Sequence, residues 1–148
     1  MSLLFKTPPS ENISAISALA IRIGIAFGFL WAGFGKVTNP EMVSQMLQQM
    51  VGLDPSMATN MTLMIGSAEL FSGILVLIGL LTRPAAMFQI IILIGSMVMF
   101  GFDFTAGPAI WKDPALLGVA IMLLLSGSGK FGLDYRISKT KHEEVSLT

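Results

Sequence analysis

The stretch SALAIRIGIAFGFLW, residues 17 to 31, has the composition of a membrane-spanning helix with one exception. Arg22 places a permanent charge inside the apolar run. A second run, IGSAELFSGILVLIGLL at residues 65 to 81, also contains one charged residue, Glu69. An ionised side chain that faces lipid costs at least about 2.5 to 3.5 kcal/mol, so we expect both residues to point into a helical bundle.

The composition of the whole chain supports a membrane protein. Its 148 residues are 53% hydrophobic and 12% charged, and the mean hydropathy is +0.76, more apolar than a soluble domain of this size. The apolar sequence suffices for four crossings of roughly 20 residues each. We therefore predict an all-α integral membrane four-helix bundle that forms a single domain over residues 1–148, with spans at about residues 13–35, 58–81, 85–102 and 110–126 and a polar tail at 127–148.

The segment PEMVSQMLQQMVGLDP, residues 40 to 55, lies between the first two spans. Its apolar residues, including Met46, Leu47 and Met50, recur at helical spacing, and glutamines cover the other side. The pattern predicts a short amphipathic helix. This helix either lies on the membrane surface or packs over the ends of the spans.

Basic residues are distributed unevenly between the two sides of the predicted bundle. Both termini and the turn between spans two and three carry six of them, whereas the other two loops carry two. Because cytoplasmic loops are enriched in Lys and Arg, we expect both termini to be cytoplasmic in a multi-pass protein of the cell membrane. The six are Lys6, Arg83, Lys130, Arg136, Lys139 and Lys141, and the two are Lys36 and Lys112.

Several classes of function are disfavoured by residues that the chain lacks. It has no cysteine, and its one histidine, His142, lies in the polar tail. The sequence therefore offers no thiolate nucleophile, no cysteine-bound cluster and no histidine ligand for haem within the spans, and we expect neither a metal site nor a covalently bound cofactor. The formal net charge of zero gives no electrostatic basis for binding nucleic acid.

The two buried charges are the candidate catalytic residues. Arg22 and Glu69 would lie at similar depths, roughly 14 and 18 Å from the cytoplasmic ends of their helices. Side chains lean toward their own N-terminus, so Arg22 leans inward and Glu69 outward, although a long arginine can close a gap of a few ångströms. They form either a structural pair in one polar patch or a site of proton-coupled chemistry on a bound quinone or similar ligand.

Glycines around these residues indicate close helix packing. Gly66 and Gly73 fall on one stripe with Glu69, so a neighbouring helix or a ligand can approach the carboxylate. The first span has its own series of small residues at four-residue spacing, namely Gly24, Gly28 and Ala32, for which plain helix packing is the simpler interpretation.

Three further blocks of the sequence combine polar with apolar residues in a fixed order, namely RIGIAFGFLWAGFGKV at 22–37, ELFSGILVLIGLLTRPAA at 69–86 and LLLSGSGKFGLDYRI at 123–137. Together these blocks resemble the DoxX family of small four-helix membrane proteins. The resemblance covers about residues 20 to 137. It implies an integral membrane protein associated with redox systems, including subunits of thiosulfate:quinone oxidoreductase and oxidative-stress membrane complexes. Many members carry a histidine near the third span, where this chain has Phe100, Gly101 and Phe102, so histidine-dependent chemistry is not expected.

The resemblance favours a structural or co-catalytic membrane subunit of a quinone-linked or oxidative-stress complex. The partners would be the lipid bilayer and other membrane subunits, and the cofactor would be a quinone. One alternative is a quinone oxidoreductase that works alone through Glu69 and Arg22, and another is a small transporter. Aromatic residues near the outer end of the bundle are the candidates for a quinone or lipid pocket, namely Trp31, Phe102, Phe104 and Trp111.

Overall fold

The computed structural model describes residues 11–100 and 108–146, and all regular structure in these ranges is α-helical. The predicted all-α fold class is therefore confirmed. The helices are α1 Glu11–Thr38, α2 Pro40–Val51, α3 Pro55–Ile78, α4 Thr82–Phe100, α5 Pro108–Ser126 and α6 Leu133–Ser146. Some residues of the preceding predictions lie outside the described part, namely Lys6, Phe102, Phe104 and the side chains of Phe100, Trp111, Lys141 and His142.

Three of these helices are long and apolar enough to cross a membrane. The qualifying segments are Asn12–Thr38, Pro55–Ile78 and Thr82–Met99, which correspond to the first three predicted spans. Helix α5 covers the position of the fourth predicted span but is not among the segments that qualify within the described residues. A membrane helical bundle agrees with these lengths, and the count of four spans stays a prediction.

The helix ends follow local sequence signals. Asn39-Pro40 separates α1 from α2, and Pro40 is the first residue of α2. Asp54 caps α3, because its carboxylate accepts hydrogen bonds from the hydroxyl of Ser56 at 2.6 Å and from the backbone N–H of Ser56 at 2.9 Å. Both bonds favour the ionised form, so they lower the pKa of Asp54, the hydroxyl bond most strongly.

Helix α2 confirms the predicted amphipathic segment. It packs chiefly on α3, with Leu47 and Ser44 buried. The methionines Met42, Met46 and Met50 remain exposed beside this contact. The helix thus packs against a span and still presents an apolar surface, as an interfacial helix does.

Helices α1 and α3 form the tightest pair and run antiparallel. A Cβ atom added to Gly33 would lie 2.7 Å from the carbonyl oxygen of Gly66, and one added to Gly73 would lie 3.1 Å from Leu30. The predicted stripe of Gly66, Glu69 and Gly73 therefore does face a neighbouring helix. The series on α1 is different, because Gly24 has no atom within 4 Å of such a Cβ and Gly33 makes the close contact instead.

Helices α4 and α5 pack on each other and complete the core. The buried cluster draws on Ile25 and Phe29 of α1, Val76 of α3, Leu93 of α4 and Leu123 of α5. Many large apolar side chains are exposed on the outside of this bundle, as expected for surfaces that face lipid. The polar tail differs from expectation, because it contains the additional helix α6, which the hydrophobic pattern does not predict.

Candidate functional site

Arg22 stabilises the C-terminal end of α3. It is 1% exposed, and its Nε donates to the carbonyl oxygen of Val76 at 2.9 Å while Nη2 donates to that of Leu77 at 2.6 Å. The last carbonyls of a helix lack intrahelical partners and carry the negative end of the helix dipole, so a guanidinium is well suited to this position. A third bond, from Nη1 to the carbonyl of Ser128 at 3.0 Å, joins α1 to the connection after α5.

Asp134 binds backbone N–H groups at the start of α4, as Arg22 binds carbonyls at the end of α3. Its Oδ1 accepts from the N–H of Leu81 at 2.7 Å and its Oδ2 from that of Thr82 at 2.9 Å. Its own N–H donates to the carbonyl of Gly79 at 2.9 Å. A Cβ at Gly79, whose φ is +71°, would lie 2.6 Å from Nη2 of Arg22. Arg22 and Asp134 therefore stabilise the turn between α3 and α4 from its two sides.

Glu69 forms an ion pair with Lys36. The lysine Nζ lies 2.9 Å from Oε1 and 2.7 Å from Oε2, and the Glu69 side chain is 7% exposed. Val76, which binds Arg22, lies seven residues further along α3, or about 10 Å of helical rise. The hypothesis that Arg22 and Glu69 pair in one polar patch is therefore wrong, since each has its own partners in a different part of the bundle.

A second carboxylate lies near the first pair. Asp113 of α5 is 5% exposed and accepts a hydrogen bond from the hydroxyl of Ser96 on α4 at 2.8 Å. Its Oδ1 lies 3.3 Å from Nζ of Lys112, whose side chain is half exposed. The Lys36–Glu69 and Lys112–Asp113 pairs thus come from three different helices.

Both pairs line the same small cavity, here called the charged cavity, which has a volume of about 70 Å³. This volume holds several water molecules or the polar edge of a small ring. Two ammonium groups and two carboxylates bring its formal charge to zero. It is lined by Gly28, Phe29, Ala32, Lys36, Glu69, Ile92, Leu93, Ser96, Lys112, Asp113 and Leu116.

Of the four predicted aromatic candidates, Trp31 has its side chain in the described part of the chain, whereas Phe102, Phe104 and the side chain of Trp111 lie outside it. Trp31 is 73% exposed and stacks on Phe27, with ring centroids 6.1 Å apart, on the outer surface of α1. It is not among the residues that line the charged cavity. Its position suits contact with lipid or with another subunit.

Sequence reasoning missed four polar residues of the charged cavity. Lys36 and Lys112 are interpreted there only as basic residues of the loops, and Asp113 and Ser96 are not singled out. One available signal was the outward lean of the Glu69 side chain, which points it toward the end of α1 where Lys36 lies. The sequence alone gives no comparable signal for Asp113, because its burial depends on how α5 packs against α4.

Gln89 is another buried polar residue that the sequence reasoning did not single out. It is 0% exposed in α4, and neither its amide nitrogen nor its amide oxygen has a hydrogen-bond partner among the described residues. An unsatisfied buried amide costs about 1 to 3 kcal/mol. The sequence does contain a signal for this buried residue, since Gln89 is the one amide residue in the apolar run of the third span.

These features define a helical membrane protein with a charged cavity between its helices. The DoxX family model matches residues 17–101, more than half of the chain, so the protein belongs to the DoxX family. This finding confirms the resemblance seen in the sequence. No solved structure matches the chain.

Curated relatives share most of their length with this chain. One is an uncharacterized membrane protein, Rv3486, of Mycobacterium tuberculosis, 33% identical over 137 residues that cover 83% of this chain and 82% of the relative. The inner membrane protein YqjF of Escherichia coli is 25% identical over 132 residues, covering 87% of this chain and 98% of the relative. YphA, another inner membrane protein of E. coli, is 27% identical over 126 residues, covering 80% and 88%.

Proposed function

We propose that this chain is a co-catalytic membrane subunit of a quinone-linked redox complex and that its charged cavity receives the polar headgroup of a quinone. The observation that carries the proposal is the opening of two lysine–carboxylate pairs onto one cavity. Ionised groups inside a membrane bundle are costly, and they commonly mark sites of proton or ligand exchange.

The residues of the cavity suit a quinone carbonyl. Lys36 and Lys112 offer ammonium donors, and a carbonyl oxygen is an acceptor. A volume of about 70 Å³ admits the carbonyl edge of the ring, while the rest of the ring would extend between the helices. When bound, a quinone would supply two-electron, two-proton redox chemistry.

Protons and electrons would come from different places. Glu69 and Asp113 are carboxylates beside the ammonium groups, so they are suited to hold or release a proton at the cavity. The chain has no cysteine, and its one histidine lies in the tail, so we assign the electron donor to a partner subunit. The redox assignment itself takes its support from the family resemblance.

Quinone turnover of the purified complex tests this function. We expect Glu69→Gln to lower turnover at least about 100-fold, in the range of general acid–base effects, while the complex stays assembled. Glu41→Gln, the same chemical change at an exposed carboxylate of α2, is the matched control and should leave turnover unchanged. Full activity of Glu69→Gln would exclude a role for the charged cavity.

The isolated chain distinguishes a subunit from an enzyme. Purified alone in mild detergent, it should turn over quinone at a negligible rate, because it lacks an electron donor. Substantial turnover by the isolated chain would instead support the alternative of an oxidoreductase in its own right. Flux of a solute into liposomes would support the transporter alternative.

We also propose that the chain has four membrane spans and that both of its termini are cytoplasmic. The support is the distribution of basic residues between the two sides. Single cysteines introduced at Gln45 of α2 and Ser138 of α6, two exposed positions, report the two sides, because the native chain has no cysteine. Position 138 should react with an impermeant maleimide from the cytoplasm and position 45 from outside. The reverse pattern would contradict the proposed orientation.

A further inference from the structure

The charged cavity lies toward one end of the bundle, the end at which α1 leads into α2. Lys36 is in the last turn of α1, and Lys112 and Asp113 are in the second turn of α5. Ser96 lies about one turn from the end of α4. Arg22 precedes Lys36 by 14 residues, or about 21 Å of helical rise. The cavity is therefore close to one surface of the bundle, here called the α2 side, and far from the opposite side, where Arg22 binds α3.

The exposure of the charged side chains decreases from the surface into the cavity. The side chain of Lys112 is 52% exposed, whereas that of Asp113, 3.3 Å away, is 7% exposed. Glu69 is also 7% exposed, and Lys36 is 20% exposed. An ammonium group that faces hydrocarbon costs at least about 2.5 to 3.5 kcal/mol, so the exposed part of Lys112 lies in water or among lipid headgroups. Lys112 thus marks the place where the cavity meets the aqueous phase.

An apolar layer separates the charged cavity from the opposite side. Its core includes Ile25 of α1, Val76 of α3 and Leu123 of α5, each at most 1% exposed. No titratable side chain occurs in the four helix segments that run through the layer, namely residues 23–35, 70–81, 84–95 and 114–126. A charge that entered the layer would lose its hydration without meeting a counter-charge, at a cost of several kcal/mol.

Two buried polar side chains lie within this layer among the described residues, and neither can take up a proton at neutral pH. The hydroxyl of Ser72 donates to the backbone carbonyl of Glu69 at 3.2 Å. Gln89 is an amide, which does not titrate. The layer therefore offers no series of acids and bases along which a proton could pass.

We propose that the charged cavity exchanges water and protons with the α2 side of the membrane, through an opening beside Lys112. The apolar layer closes the cavity from the opposite side. Protons reach Asp113 and Glu69 through water in the cavity, whose volume of about 70 Å³ holds several molecules.

This connection determines the compartment with which the quinone chemistry would exchange protons. Reduction of a quinone consumes two electrons and two protons and yields a quinol, and oxidation of the quinol returns them. With electrons from a partner subunit, the two protons would be taken from the α2 side, which is the outside in the proposed orientation. This consequence rests on the proposed function, whereas the proton connection itself does not.

A single thiol in the cavity reports which side supplies its protons. Ser96→Cys introduces one, because the native chain has no cysteine and Ser96 lines the cavity. The thiolate is the form that reacts with N-ethylmaleimide, a reagent that crosses membranes, so the labelling rate follows the pH to which the thiol is connected. The full chain would be reconstituted in liposomes in one orientation, with the pH set separately on the two sides. Charged side chains that share the cavity with position 96 are Lys36 of α1, Glu69 of α3, and Lys112 and Asp113 of α5.

Raising the pH from 7 to 8 on the α2 side should speed the labelling of position 96 about 8-fold, which is the change in thiolate fraction for an ordinary thiol pKa near 8.5. The same change on the opposite side should leave the rate unchanged. Exposed cysteines at Gln45 of α2 and Ser138 of α6 are the matched controls, and each should respond to the pH on its own side. Ala32→Cys repeats the measurement from α1 and leaves the hydrogen bond between Ser96 and Asp113 in place.

Each other outcome contradicts one part of the proposal. A rate that follows the pH on the opposite side would overturn the direction of access, and a rate that follows both would overturn the closure by the apolar layer. Thiols at positions 96 and 32 that stay unlabelled would show that the cavity has no opening to water. None of these measurements involves a quinone, so the proton connection is tested separately from the quinone function, which the turnover of Glu69→Gln tests.

Discussion

A double-mutant cycle on Lys36 and Glu69 tests the pairing that the structure assigns to the buried carboxylate. The changes are Lys36→Met, which keeps an unbranched stem, and Glu69→Leu. Lys36→Met alone leaves a carboxylate that is 7% exposed without its cation, a situation that costs about 3 to 5 kcal/mol. Glu69→Leu alone costs less, about 1 to 3 kcal/mol, because the lysine side chain is 20% exposed and can reach water.

The double variant contains no orphan charge. Replacing both members of a buried pair with apolar side chains of similar volume is often close to neutral, so we expect it to cost about 0 to 2 kcal/mol. The single changes together cost about 4 to 8 kcal/mol, so their sum should exceed the cost of the double change by at least about 2 kcal/mol. The assay is the free energy of unfolding in mixed micelles, followed by helicity during titration with a denaturing detergent.

A second cycle, Arg22→Leu with Glu69→Leu, is the control. Arg22 binds carbonyls about two helical turns from Glu69, so its effects should add to those of Glu69→Leu within about 0.5 kcal/mol. Additive behaviour in the Lys36–Glu69 cycle would refute the pairing. Strong coupling in the Arg22–Glu69 cycle would show that the two charges share a patch after all.

Three further predictions concern single positions. The pKa of Asp54 is lower in the folded protein, so the stability that Asp54 contributes is present above its unfolded pKa and is lost as pH falls through its folded pKa. The melting temperatures of wild type and Asp54→Ala should therefore converge as pH is lowered from 7 toward about 3. A constant difference between the two melting temperatures would contradict the capping role. Gln89→Met should raise the unfolding free energy by about 1 to 3 kcal/mol, because it removes an unsatisfied buried amide, whereas destabilisation in the same titration would show that the amide has a partner. Gly33→Ala should lower the free energy of unfolding by about 1 to 3 kcal/mol, since its Cβ would meet the carbonyl oxygen of Gly66 at 2.7 Å. Gly35→Ala is the control and should leave this free energy unchanged, because the space around Gly35 is open. Equal effects of the two variants would show that the close contact between the helices is not at Gly33.

Most helices could be predicted from the sequence because hydropathy and helix-breaking residues are local signals. Asn39-Pro40 separates α1 from α2, and the glycine stripe around Glu69 does face α1. Helix α6 was missed since its pattern is mixed and its sequence is polar. Its exposed apolar side chains, such as Ile137, have no regular stripe that would predict a helix.

The partners of the buried charges could be predicted only in part. Depth along two antiparallel helices suggested Arg22 and Glu69, but the direction of the side chains decided otherwise. Arg22 leans toward the end of the bundle where it donates to the last carbonyls of α3, and Glu69 leans toward Lys36. The position of Asp113 depends on the packing of α5 against α4, which one sequence does not specify.

Photolabelling with an azido-quinone is the sharpest test of the proposed quinone site, because it reports where a quinone binds and does not require turnover. Label should appear on residues that line the charged cavity, in the peptides that contain Ala32 or Ile92, and unlabelled quinone should compete it away. Glu41→Gln should be labelled as wild type is, and Lys36→Met with Lys112→Met should lose the competed label. Competed labelling confined to other surfaces, or labelling of the cavity that unlabelled quinone does not reduce, would exclude a quinone from the charged cavity.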